Sequence, residues 1–236
     1  MAVNVDIVYK TVLYILNKEQ RGYIPPAEFN NIATQVQLEI FEQYFEELNQ
    51  QLRVPENDSE YANRVKNLED KIQIFQTIAV SPGYNVGPPA YFDTPAGIHR
   101  IGTVIYQGAN EVQRVERNEY YLIKKSPLTA PNLTYPIYMF EGGGLYIHPS
   151  TIQTPGDIEI SYVTKPTDPV WGYTVGALGQ YIHTPGAPTV NFQLHGSEQT
   201  NIILNILMYS GVIIRDPQIV QNAAQMVQQD EVNEKS

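Results

Sequence analysis

At Val80 the chain changes its punctuation, and the stretches on either side demand different folds. Ser81-Pro82-Gly83, Gly87-Pro88-Pro89 and Thr94-Pro95-Ala96-Gly97 follow in close succession. No helix passes through such a series, because each proline removes a backbone donor and each glycine adds conformational freedom. Residues 1–80 instead carry apolar side chains at helical spacing. A first helix is predicted from about Val5 to Glu19, burying Val8, Val12, Ile15 and Leu16, with Arg21-Gly22 as its stop. Pro25-Pro26 starts a second, since proline at the first helical position costs no hydrogen bond. It runs toward Leu52 with Phe29, Ile32, Ala33, Val36, Ile40, Phe41, Tyr44 and Leu48 on one face, and Glu39, Glu42, Glu46 and Glu47 mostly opposite. A third opens at the capping pair Asp58-Ser59 and carries Tyr61, Val65, Leu68, Ile72, Phe75 and Ala79 at alternating spacings of four and three, a seam that calls for a helical partner.

Between Ile98 and Leu194 short β segments replace helices: Ile98–Gln107, Glu111–Glu116, Ile137–Phe140, Leu145–Pro149 and Asp157–Thr164, with Glu141-Gly142-Gly143-Gly144 as a hairpin turn. After Trp171-Gly172-Tyr173, residues 176–188 show neither period and read as a long Gly/Pro-rich loop or β-arm, of the kind that serves a function or is ordered by a partner. Helical spacing returns at Ser197-Glu198 with Ile202, Ile203, Ile206 and Leu207, and Ser210-Gly211 is predicted to break it. Asp216-Pro217 opens a last helix carrying Ile219, Val220, Ala223, Ala224 and Val227. The predicted fold class is α+β. A helical bundle built from the N- and C-terminal helices, residues 1–80 and 195–236, carries an inserted antiparallel β domain at 81–194.

Composition narrows the chemistry. Lys and Arg number 15 against 25 Asp and Glu, a net charge of −10, which excludes affinity through phosphate neutralisation. The acidity is concentrated in residues 1–80, with 12 acidic and 7 basic side chains. Aromatics are 11% of the chain and include 17 Tyr, too many for a disordered protein. Cysteine is absent, so disulfides, thiolate metal sites and cysteine nucleophiles are excluded together. Met1 to Asp6 has no basic and apolar leader pattern, so no secretory signal is expected. The most apolar run, Ile202 to Ile214, is interrupted by Asn205, Ser210 and Gly211 and suits a core helix rather than a membrane span.

Catalytic vocabulary is sparse. His99, His148, His183 and His195 include no i, i+4 pair, so neither a metal site nor a cofactor is expected. No G-x-S-x-G, P-loop or dinucleotide fingerprint occurs. Asp157 and Glu159 share a strand face and are the carboxylates a hydrolase would use, but no third group is fixed beside them. The chain is therefore expected not to be an enzyme. Trp171, Tyr173 and Tyr181 are the candidate contact residues between subunits, tyrosine being enriched at interfaces. The alternative use of the same three is carbohydrate or receptor binding.

Asn17-Lys18-Glu19-Gln20-Arg21-Gly22-Tyr23-Ile24, Glu28-Phe29-Asn30 and Gln37-Leu38-Glu39-Ile40-Phe41-Glu42-Gln43-Tyr44-Phe45 resemble the opening of virion structural proteins of tailed bacteriophages, particularly crAss-like and related short-tailed phages. Tyr135-Pro136-Ile137-Tyr138, Tyr162 with Lys165-Pro166, Trp171-Gly172-Tyr173 and Gly211 with Ile214-Arg215-Asp216 fit the same pattern. The resemblance implies a head-to-tail connector, or ring, component made in the bacterial host cytoplasm and located in the virion at the head-tail junction or tail. It implies a homo-oligomeric ring of about twelve copies, as closed cyclic assembly allows, with the portal protein and neighbouring ring or tail proteins as partners and DNA passing through the lumen without sequence-specific binding. No membrane partner is implied. Glu39, Glu42 and Glu46 are the candidate channel-facing carboxylates, since an acidic lining repels DNA and lets it slide, and the alternative for the same face is a solvated ring exterior.

Overall fold

The structure, a computed structural model, describes residues 2–18, 22–51, 59–81, 83–214, 221 and 224–229. It divides into two compact units, one formed by Phe75–Lys165 and the other by Met1–Ile74 with Pro166–Ser236.

The unit at 75–165 is a curled, mixed, eight-stranded sheet. Its strands are β1 (Gln76–Val80), β2 (Tyr84–Asn85), β3 (Tyr91–Asp93), β4 (Ile98–Tyr106), β5 (Asn110–Arg114), β6 (Ile137–Glu141), β7 (Gly144–His148) and β8 (Ile158–Thr164), in the spatial order β1-β8-β4-β5-β6-β7-β3-β2. All neighbours are antiparallel except β5 and β6. Helix α4 (Arg117–Lys125) lies in the β5–β6 connection, the crossover that a parallel pair needs. Two register shifts between β4 and β8 add local twist. Phe92, Val104, Tyr106, Val112, Tyr138, Leu145, Ile147, Ile158, Ile160 and Tyr162 form the main core. The alternate residues Ile137 and Met139 of β6 join Val115 and Tyr120 in a second core around α4, so β6 is buried on both faces.

In the other unit, α1 (Val5–Lys18) buries Val5, Val8, Tyr9, Val12 and Leu16. Helix α2 (Pro26–Gln51) buries Phe29, Ile32, Ala33, Val36, Ile40, Phe41, Tyr44 and Phe45, and α3 (Ser59–Gln73) buries Leu68 and Ile72. Helix α5 (Gln199–Ile214) packs on α1 and α2, and α3 packs on α2. Lys71 of α3 reaches the buried carboxylate of Glu198 at 2.8 Å. The segment 166–195 is laced to α2 by two polar side chains two turns apart. Gln37 donates to Thr167 O at 2.8 Å and accepts from Gln193 N at 2.9 Å, and Asn30 accepts from Trp171 N at 2.8 Å.

A helical bundle with an inserted antiparallel β domain is therefore not the fold. The principal element is the eight-stranded sheet, it is mixed rather than antiparallel, and a few helices accompany it. The seam of α3 stops at Gln73, and Ala79 lies in β1, where β-branched Thr77, Ile78 and Val80 favour extended backbone. Helix α5 runs through Ser210-Gly211 rather than breaking there, because the buried Ser210 hydroxyl bonds the carbonyl of Ile206 one turn back and Gly211 is buried without a Cβ to place. Asp157 closes a short 3-10 turn instead of sharing a strand with Glu159. Asp58, Leu52 and Asp216-Pro217 lie outside the described residues, and residues 224–229 are helical.

Candidate functional site

Trp171 organises the segment between β8 and α5. Its indole is 5% exposed. The ring of Tyr9 on α1 meets it at 4.5 Å between centroids, and His183 stacks on it at 5.1 Å with 19° between planes. Its Nε1–H donates to Asp6 Oδ1 at 2.9 Å, and its backbone is held on both sides by the Asn30 amide. Asp6 also accepts from Lys10 at 2.7 Å and lies 3.7 Å from His183 Nδ1. Burial alone pushes the Asp6 carboxyl up, but the hydrogen bonds from Lys10 and Trp171 and the nearby His183 outweigh it and hold the group below the usual carboxylate value. Tyr9 is fixed in turn by Phe29 at 4.6 Å and by a hydrogen bond from its hydroxyl to Ile24 O.

From this anchor a hairpin emerges, β9 (Tyr173–Val175) and β10 (Tyr181–His183), paired Tyr173 to His183 and Val175 to Tyr181. Gly172 is required at its base, because a Cβ there would stand 2.7 Å from Thr189 Oγ1, which itself bonds Gly172 N and Thr184 O. Gly179 closes the tip with φ of 78°. Tyr173 and Tyr181 meet edge-on at 5.1 Å. The hairpin turns apolar side chains to solvent, with Val175, Tyr181 and Ile182 exposed and Leu178 92% exposed, alongside the exposed polar Thr174 and Gln180. A short two-stranded hairpin is marginal by itself in water, and the Trp171 lock supplies the support it lacks.

Of the three aromatic residues expected at a contact surface, Trp171 is an internal anchor and offers no free face. The carbohydrate-binding alternative loses its largest stacking platform for the same reason. Tyr173 is half-buried and Tyr181 exposed. The tyrosines as a group are divided, since Tyr106, Tyr120, Tyr138 and Tyr162 are core residues of the sheet unit.

On α2, Glu39, Glu42 and Glu46 line one open groove with Gln35, Leu38, Gln43, Glu47 and Gln50. Glu39 is only half exposed and accepts hydrogen bonds from Tyr209 of α5 and from Gln35. That bond to Glu39, with burial, pushes the Tyr209 hydroxyl up to about 12. Glu42 and Glu46 are exposed. Glu39 thus serves the packing of α5 on α2, and the outward acidic pair is Glu42 with Glu46.

His148 stacks on Tyr120 at 4.3 Å, and His195 caps the turn before α5 through Ser197 N. Among the described residues no group of three or more His, Asp or Glu side chains is placed to hold a metal, and no helix is long and apolar enough to cross a membrane. Sequence reasoning missed Asp6, Asn30 and Gln37, whose partners lie more than a hundred residues away. No protein-family model matches the chain, and no curated protein matches it.

Proposed function

We propose that this chain is a non-enzymatic structural subunit of a bacteriophage head-to-tail connector, assembling as a ring of about twelve copies below the portal. The observation that carries the reading is the anchored arm. Asp6, Tyr9, Asn30 and Trp171 fix the base of a hairpin whose outer residues Val175, Leu178, Tyr181 and Ile182 are apolar and solvent-exposed. A rigid base with an apolar tip is an arrangement for binding another protein surface, because the entropy of ordering the hairpin has already been met within the chain. In this reading Glu42 and Glu46 face a lumen through which DNA passes, where a negative wall opposes phosphate adhesion. The neighbours in this reading are the portal and adjoining ring or tail proteins, and the resemblance of residues 17–24, 28–30 and 37–45 to phage virion proteins supports it.

Imaging of purified virions, with the chain located by its density, tests the proposal. A ring at the head-tail junction is expected. Particles lacking the chain, or carrying it as an isolated copy on the tail surface, refute the connector role.

A further inference from the structure

The eight-stranded sheet ends in two unlike edges. The β2 edge is only two residues long, too short to template much pairing. The β1 edge is longer, and Ser81-Pro82-Gly83 stops it only after Val80. It is five residues, Gln76–Val80, without proline, lysine or any charge. The bonds Thr164 N to Phe75 O and Ser81 N to Ile158 O place the odd positions against β8. By the alternation of an antiparallel ladder, Gln76, Ile78 and Val80 turn their N–H and C=O groups away from the sheet. Their side chains share one face, on which Ile78 is 71% exposed and Val80 is exposed beside it.

The arm carries the matching features. Gly176 N bonds Gln180 O and Thr184 N bonds Gly172 O, so the even positions are paired within the hairpin. Tyr173 and Val175 on one side, and Tyr181 and His183 on the other, direct their backbone groups outward. The charge pattern couples the two elements. In a chain of net charge −10, the two longest stretches free of Asp, Glu, Lys and Arg are residues 169–197 and 72–92, and they hold these two open edges. These two segments bring no charge of their own to a contact between copies, and the carboxylates close to them include Glu159 opposite Val80 and Asp6 beside His183.

We infer that the β9–β10 hairpin of one copy adds to the β1 edge of the next copy, extending its sheet from eight strands to ten. This deepens, and rests on, the reading of the chain as an assembly subunit. Each copy offers one arm and one edge, so the contact is head-to-tail and gives a ring where the rotation between successive copies closes.

The chain has no native cysteine, so paired substitutions report the contact cleanly. Ile78→Cys combined with Val175→Cys, and Ile78→Cys combined with Tyr181→Cys, cover the two sides of the hairpin. Oxidation of concentrated protein is expected to give, for one pair, a ladder of linked species beyond the dimer, and none for Ile78→Cys alone. A dimer from Ile78→Cys alone means that two β1 edges pair with each other and overturns the inference, as does linkage confined to the monomer or no linkage with either pair. Ile78→Pro supplies the second readout. Its missing N–H points away from β8, so helix and strand content and melting are expected to stay at wild-type values while species larger than the monomer disappear. Assembly unchanged by Ile78→Pro overturns the inference. Wild-type rings by light scattering without linkage discard the pairing and leave the assembly reading, whereas linkage in a protein absent from virions discards the connector role alone.

Discussion

Replacing Trp171 with alanine separates an internal anchor from a contact surface, and the two cases differ by several kcal/mol. The indole is buried against Tyr9 and His183 and donates to Asp6. Truncation of a buried tryptophan costs about 3–5 kcal/mol, while a surface substitution stays within about 0.5 kcal/mol. With a urea dependence of about 2 kcal/mol per molar for a unit of this size, the midpoint of the helical unit falls by about 2 M. Trp171→Phe keeps an aromatic ring in the stack and removes the N–H donated to Asp6, so its cost is about 1–2 kcal/mol. Because Trp171 is the sole tryptophan, unfolding of the variants is followed by far-ultraviolet circular dichroism. A Trp171→Ala midpoint equal to wild type refutes the anchor and returns Trp171 to the surface.

Four further outcomes follow from the geometry. The folded Asp6 carboxyl titrates below its ordinary value, so its contribution is complete above a pH of about 4 and is lost as pH falls through the folded value. Trp171 emission should shift to the red in that acid range for wild type, and Asp6→Asn should lack the step. Gln37→Leu leaves Thr167 O and Gln193 N without their partner, costs about 1–3 kcal/mol, and speeds hydrogen exchange at Gln193 selectively. Glu39→Gln returns the Tyr209 hydroxyl from about 12 toward the ordinary value near 10, read by difference absorbance against wild type. Gly143→Ala, at φ of 81°, lowers stability by about 1–2 kcal/mol, whereas Gly156→Ala, with open space and no positive φ, changes little in the same thermal melts.

Local signals were legible where they were unopposed. Gly142-Gly143 between two alternating runs marks the β6–β7 hairpin, and both glycines have positive φ. Pro26 opens α2 as its place in the sequence implies. The β1 strand is different, because Phe75 and Ala79 extend the helical spacing of α3 while Thr77-Ile78-Ala79-Val80 also fits an alternating strand, and pairing with β8 decides. Helix α4 carries a readable signature, the reciprocal Glu116 and Glu119 cap and Lys124-Lys125 at its end, which its short length obscures. The anchor was not legible at all. Nothing local distinguishes a buried Trp171 from an exposed one, since its burial depends on Tyr9, Asp6 and Asn30 from the distant N-terminal helices. The carboxylates of α2 were legible as a face, but the bond from Tyr209 that turns Glu39 to packing was not.

The claim that this chain is built to assemble through its anchored arm is tested most directly by imaging purified virions at a resolution that traces strands. A ring of copies at the head-tail junction is expected, with the β9–β10 hairpin of each held by its neighbour. Particles without the chain, or a ring whose hairpins stand free in solvent, contradict it.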